Sequence, residues 1–124
     1  MLARAALMLP LVEAGLRVVG FRRIWAVLGP ADAGREDVAA ARTIARVVQA
    51  AARWSPARPG CLARSVVLCH LLHRRGLAGT LRIGVVRPGA GLEAHAWVEV
   101  AGQPINDSTA QVERFAAFGH LTPR

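Results

Sequence analysis

Three residues of this chain have the types that acyl transfer requires: a thiol at Cys61, an imidazole at His95 and a carboxylate at Asp107. Together they can serve as nucleophile, base and orienting group. Cys61 follows the loop Ser55-Pro56-Ala57-Arg58-Pro59-Gly60 and opens the run CLARSVVLCHLLHRR. The apolar residues of that run recur at helical spacing until Gly76, so Cys61 is expected in the first turn of a helix from Cys61 to about Arg75. Unpaired backbone N–H groups and the positive end of the helix dipole favour an anion there. The competing reading, a small buried cysteine, fits a helix interior better than a start led by Pro-Gly.

His95 lies in the second of two expected strands, LAGTLRIGVVR and LEAHAWVEV, joined through Pro88-Gly89-Ala90-Gly91. Pairing Arg87 with Leu92 sets a register in which one face carries Leu81 opposite Val98, Ile83 opposite Ala96 and Val85 opposite Ala94, all apolar. The other face carries His95 opposite Gly84 and Trp97 opposite Arg82, and the glycine leaves a gap beside the imidazole where a substrate backbone could approach. After Val100, a two-residue turn at Ala101-Gly102 would bring Asn106 to the histidine face, whereas a three-residue turn or a bulge would bring Asp107. Geometry alone leaves the two as rivals, and a cap formed through Asp107-Ser108-Thr109 is the structural alternative.

The remaining elements must hold these groups together. In the second helical segment, Asp32 can cap, Glu36 and Asp37 suit the first turn, and Val38, Ala41, Ala45, Val48 and Ala52 form an apolar stripe. Arg42, Arg46, Gln49 and Arg53 line another face, ordinarily a solvated one and otherwise a docking surface. The sum is an α+β domain with N-terminal helices, a nucleophile helix and an antiparallel sheet. The histidine must look toward the helix start, so the other helices are expected to cover the apolar sheet face. Residues 1–124 read as a single domain, with a helical part over 1–54 and the catalytic core over 55–118.

The order CLARS, HAWVEV with a following Gly turn, then ND resembles the lasso peptide biosynthesis B protein, specifically its stand-alone peptidase half, from about Val38 to Phe118. That group is a set of transglutaminase-like cysteine peptidases with a papain-like core. The resemblance implies removal of a leader peptide from a ribosomally made precursor, with Cys61 as nucleophile, His95 as base and Asp107 rather than Asn106 as third member. It implies no cofactor, a separate leader-binding recognition protein, and possible contact with the lasso cyclase. Papain-like relatives commonly place an oxyanion-donating glutamine a few residues before the cysteine, whereas here the nearest, Gln49, is twelve residues upstream. The Cys61 N–H can supply one donor and the Trp54-Ser55 segment is the candidate for the second. Trp54, Gly84 and Trp97 are the substrate-contact candidates. Another Cys-His-Asp acyl-transfer enzyme, transglutaminase-like or amidase, and a basic non-catalytic binding module are the alternatives.

Composition narrows the setting. A chain of 124 residues has room for one modest core. Cys61 and Cys69, eight residues apart on one expected helix, are separated by roughly 12 Å of rise, beyond disulfide reach. Two free thiols point to a reducing compartment, the cytoplasm. All sixteen basic residues are arginine, giving a net charge of +8 that favours acidic partners such as an acidic precursor. Nucleic acid is disfavoured by only six aromatic residues and the lack of a recognised motif. The longest uncharged run of the apolar N-terminus, Ala5 to Val12, is too short to span a membrane, and one or two amphipathic helices are expected, with surface association a minor option. Cys69, His70 and His73 could share a helix face, but a closed zinc site needs four ligands and no metal is expected.

Overall fold

The helix that starts at Cys61 is the centre of the molecule. In the computed structural model, which describes residues 1–28, 34–56, 59–86 and 93–106, the elements are α1 (Leu2–Val18), α2 (Phe21–Leu28), α3 (Val38–Trp54), α4 (Cys61–Arg74), β1 (Thr80–Val86), β2 (Glu93–Val100) and β3 (Gln103–Pro104). The class is α+β, with one antiparallel sheet in the order β1-β2-β3. Burial of α4 runs round the helix and takes in Ala63, Ser65, Val66, Val67, Leu68, Cys69, Leu71 and Leu72. A helix apolar on nearly every side must be covered on every side, and α1, α2, α3 and the sheet all pack on it.

The hairpin has the register that alternation predicts: Leu81 pairs with Val98, Ile83 with Ala96, Val85 with Ala94, Arg82 with Trp97 and Gly84 with His95. The Arg87–Leu92 pair lies outside the described residues. Leu81, Ala96 and Val98 belong to the same buried cluster as Val66, Leu68 and Leu72. Thus α4 itself makes the main helix contact with the sheet, while α1 and α3 pack on α4 and on each other. This corrects the expectation that other helices cover the apolar sheet face. No conflict with the histidine arises, because the start of α4 meets the edge of β2 rather than its face.

Three further differences have simple causes. The cap of α3 is Asp37, whose Oδ1 accepts from the Ala40 N–H at 3.0 Å, so the helix begins later than a cap at Asp32 would allow, and Asp32 lies outside the described residues. The stripe of α3 centres on Ala41, Ile44, Ala45, Val48 and Ala51, with Val38 and Ala52 at its margins. Finally, α1 is apolar on both sides: Ala5, Leu9 and Val12 are buried, whereas Leu2, Leu7, Leu11 and Val18 are exposed. No helix among the described residues is long and apolar enough to cross a membrane.

Gly76 ends α4 with φ +70°, the left-handed conformation that costs other L-residues energy. The N–H of Leu77 donates to the Leu72 carbonyl at 2.9 Å and that of Gly76 to the His73 carbonyl at 3.0 Å, while Leu72 and Leu77 are both buried. This is a Schellman closure with its apolar contact. Nothing lies within 4 Å of a Cβ built at Gly76, so substitution there meets backbone strain alone. Gly76→Ala is expected to lower stability by about 1–2 kcal/mol, Gly76→Asn by less and Gly76→Val by more. Urea unfolding of the three variants checks the ranking, and equal losses would contradict the φ argument.

Candidate active site

Cys61 is the first residue of α4, after an N-cap glycine with extended backbone and no capping side chain. The ladder with β1 engages alternate residues of β2, which turns the Ala96 and Val98 N–H groups to the opposite edge. Along that edge β3 pairs only with Glu99 and Val100, so two donors fall beyond it. The first turns of α4 meet both. Ala96 N–H donates to the Cys61 Sγ at 3.4 Å, and Val98 N–H donates to the Asn106 Oδ1 at 2.8 Å, with Asn106 Nδ2 donating to the Ser65 Oγ at 3.1 Å. The sulfur is therefore held against the peptide that follows His95. Half-exposed Cys61 remains accessible, and an N–H aimed at sulfur is a donor that a thiolate can use.

This arrangement decides what Asn106 does. The turn at Ala101-Gly102 is the two-residue kind, with φ of 52° and 77°. Strict alternation would then place Asn106 beside His95 and Trp97. Instead the chain leaves the ladder after the Ile105 N–H donates to the Val98 carbonyl at 3.0 Å, and the Asn106 amide turns to Val98 and Ser65. Gln49 secures the bend by donating to the Asn106 carbonyl at 3.3 Å, and Arg64 donates to the Gln49 Oε1 at 3.0 Å and to the Gly60 carbonyl at 3.4 Å. Both ends of the Asn106 amide thus serve the fold. Asp107, the next residue, lies outside the described residues.

Sequence reasoning assigned no role to Ser65, Arg64 or the Gln49 amide. Ser65 was visible as the lone hydroxyl of α4, one turn after Cys61, and it is the one buried polar side chain among the described residues. Gln49, twelve residues upstream, sits beside the Cys61 helix in space, but its amide is engaged with Asn106 and Arg64 rather than presented to an oxyanion.

His95 is half-buried on the other sheet face, its ring stacked on Trp97 with centroids 6.1 Å apart and planes 26° apart. Trp97 is fully buried, its Nε1 donates to the Glu99 Oε2 at 2.8 Å, and the second Glu99 oxygen faces Arg82 Nε at 3.4 Å. The indole therefore backs the imidazole. Gly84 is buried opposite His95, and Trp54 is 87 % exposed at the end of α3. Burial pushes the Cys69 thiol up from its ordinary 9.0 to about 12, whereas His73 is exposed, so the two do not share an environment. Among the described residues no group of three His, Cys, Asp or Glu side chains could hold a metal ion.

The fold is α+β, with a cysteine at a helix start set against the edge of a histidine-bearing strand. Residues 5–119 match the family model of the transglutaminase-like superfamily, and the chain belongs to that superfamily. It is one in which Cys-His-Asp enzymes are common and which includes cysteine peptidases. No curated protein and no solved structure matches the chain.

Two outcomes follow from the geometry. Asn106→Ala should destabilise the protein by about 1–3 kcal/mol, because the Val98 N–H loses its partner at a part-buried position. In a double-mutant cycle with Ser65→Ala, measured by urea unfolding, the two losses should fail to add; full additivity would deny the bridge. For Cys69 the folded thiol stays neutral to about pH 12 while the unfolded one ionises near 9.0. The stability of this burial is complete below pH 9 and declines as pH rises, by at most about 1.4 kcal/mol per unit. Wild type should lose stability between pH 9 and 11 more steeply than Cys69→Ala, and parallel curves would refute the assignment.

Proposed function

We propose that the chain is a cysteine peptidase that removes the leader from a lasso peptide precursor in the cytoplasm. The observation that carries the reading is the contact of the Cys61 Sγ with the Ala96 N–H, which ties the sulfur at a helix start to the backbone adjoining His95. The superfamily membership and the order CLARS, HAWVEV, ND support it.

In this reading His95 takes the proton of Cys61 and the thiolate attacks the leader–core amide carbonyl. The tetrahedral intermediate collapses when His95 gives its proton to the departing amine, leaving a thioester on Cys61. Water, deprotonated by His95, then attacks the thioester and releases the leader acid and the free thiol. Asp107 holds the imidazole tautomer that accepts at one nitrogen and donates at the other. The bend that Asn106 and Gln49 secure immediately precedes Asp107 in the sequence. Trp97, stacked on the imidazole, restricts the ring.

The described residues before Cys61 form three helices and offer no strand on which a leader could add by pairing. A separate leader-binding protein, which the resemblance implies, is part of the proposal, with the lasso cyclase downstream. Tethering the leader raises the local concentration of the scissile bond and lowers KM more than it alters kcat.

Cleavage of purified precursor, followed by mass spectrometry with and without the leader-binding protein, tests this reading. Cys61→Ala should abolish turnover and Cys69→Ala should largely preserve it. Asp107→Ala should lower kcat by about 10³–10⁴-fold with native stability, and Asn106→Ala should show its loss chiefly in stability. Wild-type activity in Cys61→Ala would end the peptidase reading. Transfer of the acyl group to an amine, in place of hydrolysis, would move the chain to another acyl-transfer activity on the same residues.

A further inference from the structure

We propose that an arginine-lined trough along α3 seats an acidic segment of the peptide substrate, an inference that rests on the peptidase reading and extends it to substrate selection. Arg42, Arg46, Gln49 and Arg53 follow one another at helical intervals of four, three and four residues and so share one face of α3. In the folded chain that face is one wall of two adjoining cavities. A cavity of about 400 Å³ is bounded by Arg42, Arg46 and the Ile105-Asn106 bend; one of about 460 Å³ is bounded by Ser55, Pro59 and Arg64. Gln49 and Arg53 line both, which makes them one trough.

Its dimensions suit an extended chain. From Arg42 to Arg53 the helix rises roughly 16 Å, the length of about five residues in extended conformation. One end reaches Pro59 and Arg64, flanking the first turn of α4, so a segment lying in the trough leads toward Cys61.

Among the described residues the charge has no acidic counterpart: none of those lining either cavity is acidic, and none of Arg42, Arg46, Arg53 and Arg64 takes part in an ion pair. Arg42 donates to the Gln103 amide oxygen and Arg64 to the Gln49 amide oxygen and the Gly60 carbonyl, all neutral acceptors. Guanidinium groups held at the rim of a concave wall favour carboxylates, with which they form paired hydrogen bonds. Among the described residues no aromatic ring lines the trough, so they offer no stacking platform of the kind that single-stranded nucleic acid uses.

The test uses the full chain carrying Cys61→Ala and a fluorescein-labelled peptide with five consecutive glutamates, read by fluorescence anisotropy at low salt. The glutamine counterpart should bind at least about tenfold more weakly, and R46E/R53E should weaken the glutamate peptide by about tenfold. R22E/R23E on α2 changes net charge equally at two exposed residues outside the trough and should leave affinity within about twofold. R46Q/R53Q reads the same contact where charge reversal disturbs folding, which melting curves reveal. Equal losses in both reversed pairs, unchanged affinity in R46E/R53E and R46Q/R53Q, or tighter trough-dependent binding of a thymidine oligonucleotide would each overturn the proposal. Binding does not require chemistry, so the two readings separate. Trough-dependent binding with no Cys61-dependent cleavage would remove the peptidase and keep the trough, whereas cleavage with KM unchanged in R46E/R53E would do the reverse.

Discussion

The free edge of β2 is the constraint on which the rest of the structure depends. Beyond the short β3, Ala96 and Val98 present N–H groups that a buried edge cannot leave without acceptors. Helix α4 answers them with Cys61 directly and with Ser65 through Asn106. The match is geometric. Two residues along a strand advance roughly 6.8 Å and four along a helix about 6 Å, so acceptors one helical turn apart meet donors two strand residues apart. The same fit that satisfies the edge sets the thiol beside the histidine's own backbone.

A site built this way inherits its rigidity from burial. With apolar contacts on nearly every side, α4 cannot slide along the sheet without opening the core formed by Val66, Leu68, Leu72, Leu81 and Val98. The Schellman closure at Gly76 fixes its far end, and the strap in which Arg35 N–H donates to Gly76 O and Ala78 N–H to Arg35 O, both at 2.9 Å, fastens that end to the segment before α3. Gly34 is required there because a Cβ would lie 2.7 Å from the Leu77 backbone.

Much of this was legible in the sequence. Alternation fixed the register of β1 and β2 because a one-residue slip would turn Leu81, Ala96 and Val98 out of the core. The start of α4 was marked by Pro59-Gly60 and its stop by Gly76. The role of Asn106 was hidden, since alternation holds only while the ladder continues and here a side-chain amide replaces the next backbone acceptor. Gln49 was hidden for another reason: linear distance from Cys61 says nothing of the packing of α3 on α4. The α3 cap is Asp37 rather than Asp32 because its side chain accepts from the Ala40 N–H in the first turn, a choice that several nearby acids left open in the sequence.

The two cysteines show how one helix gives the same side chain opposite properties. Cys69, two turns inside α4, has no access to solvent, and burial pushes its thiol up to about 12. Cys61 stands where the helix emerges, half-exposed, with a strand N–H on its sulfur. Exposure of the thiol therefore depends on where the buried helix ends, beside Gly60 and the Arg64 contacts to Gly60 and Gln49. A hydrogen-bonded layer thus runs from the turn that opens with Cys61, through Arg64 and Gln49, to Asn106, the residue before Asp107 in the sequence.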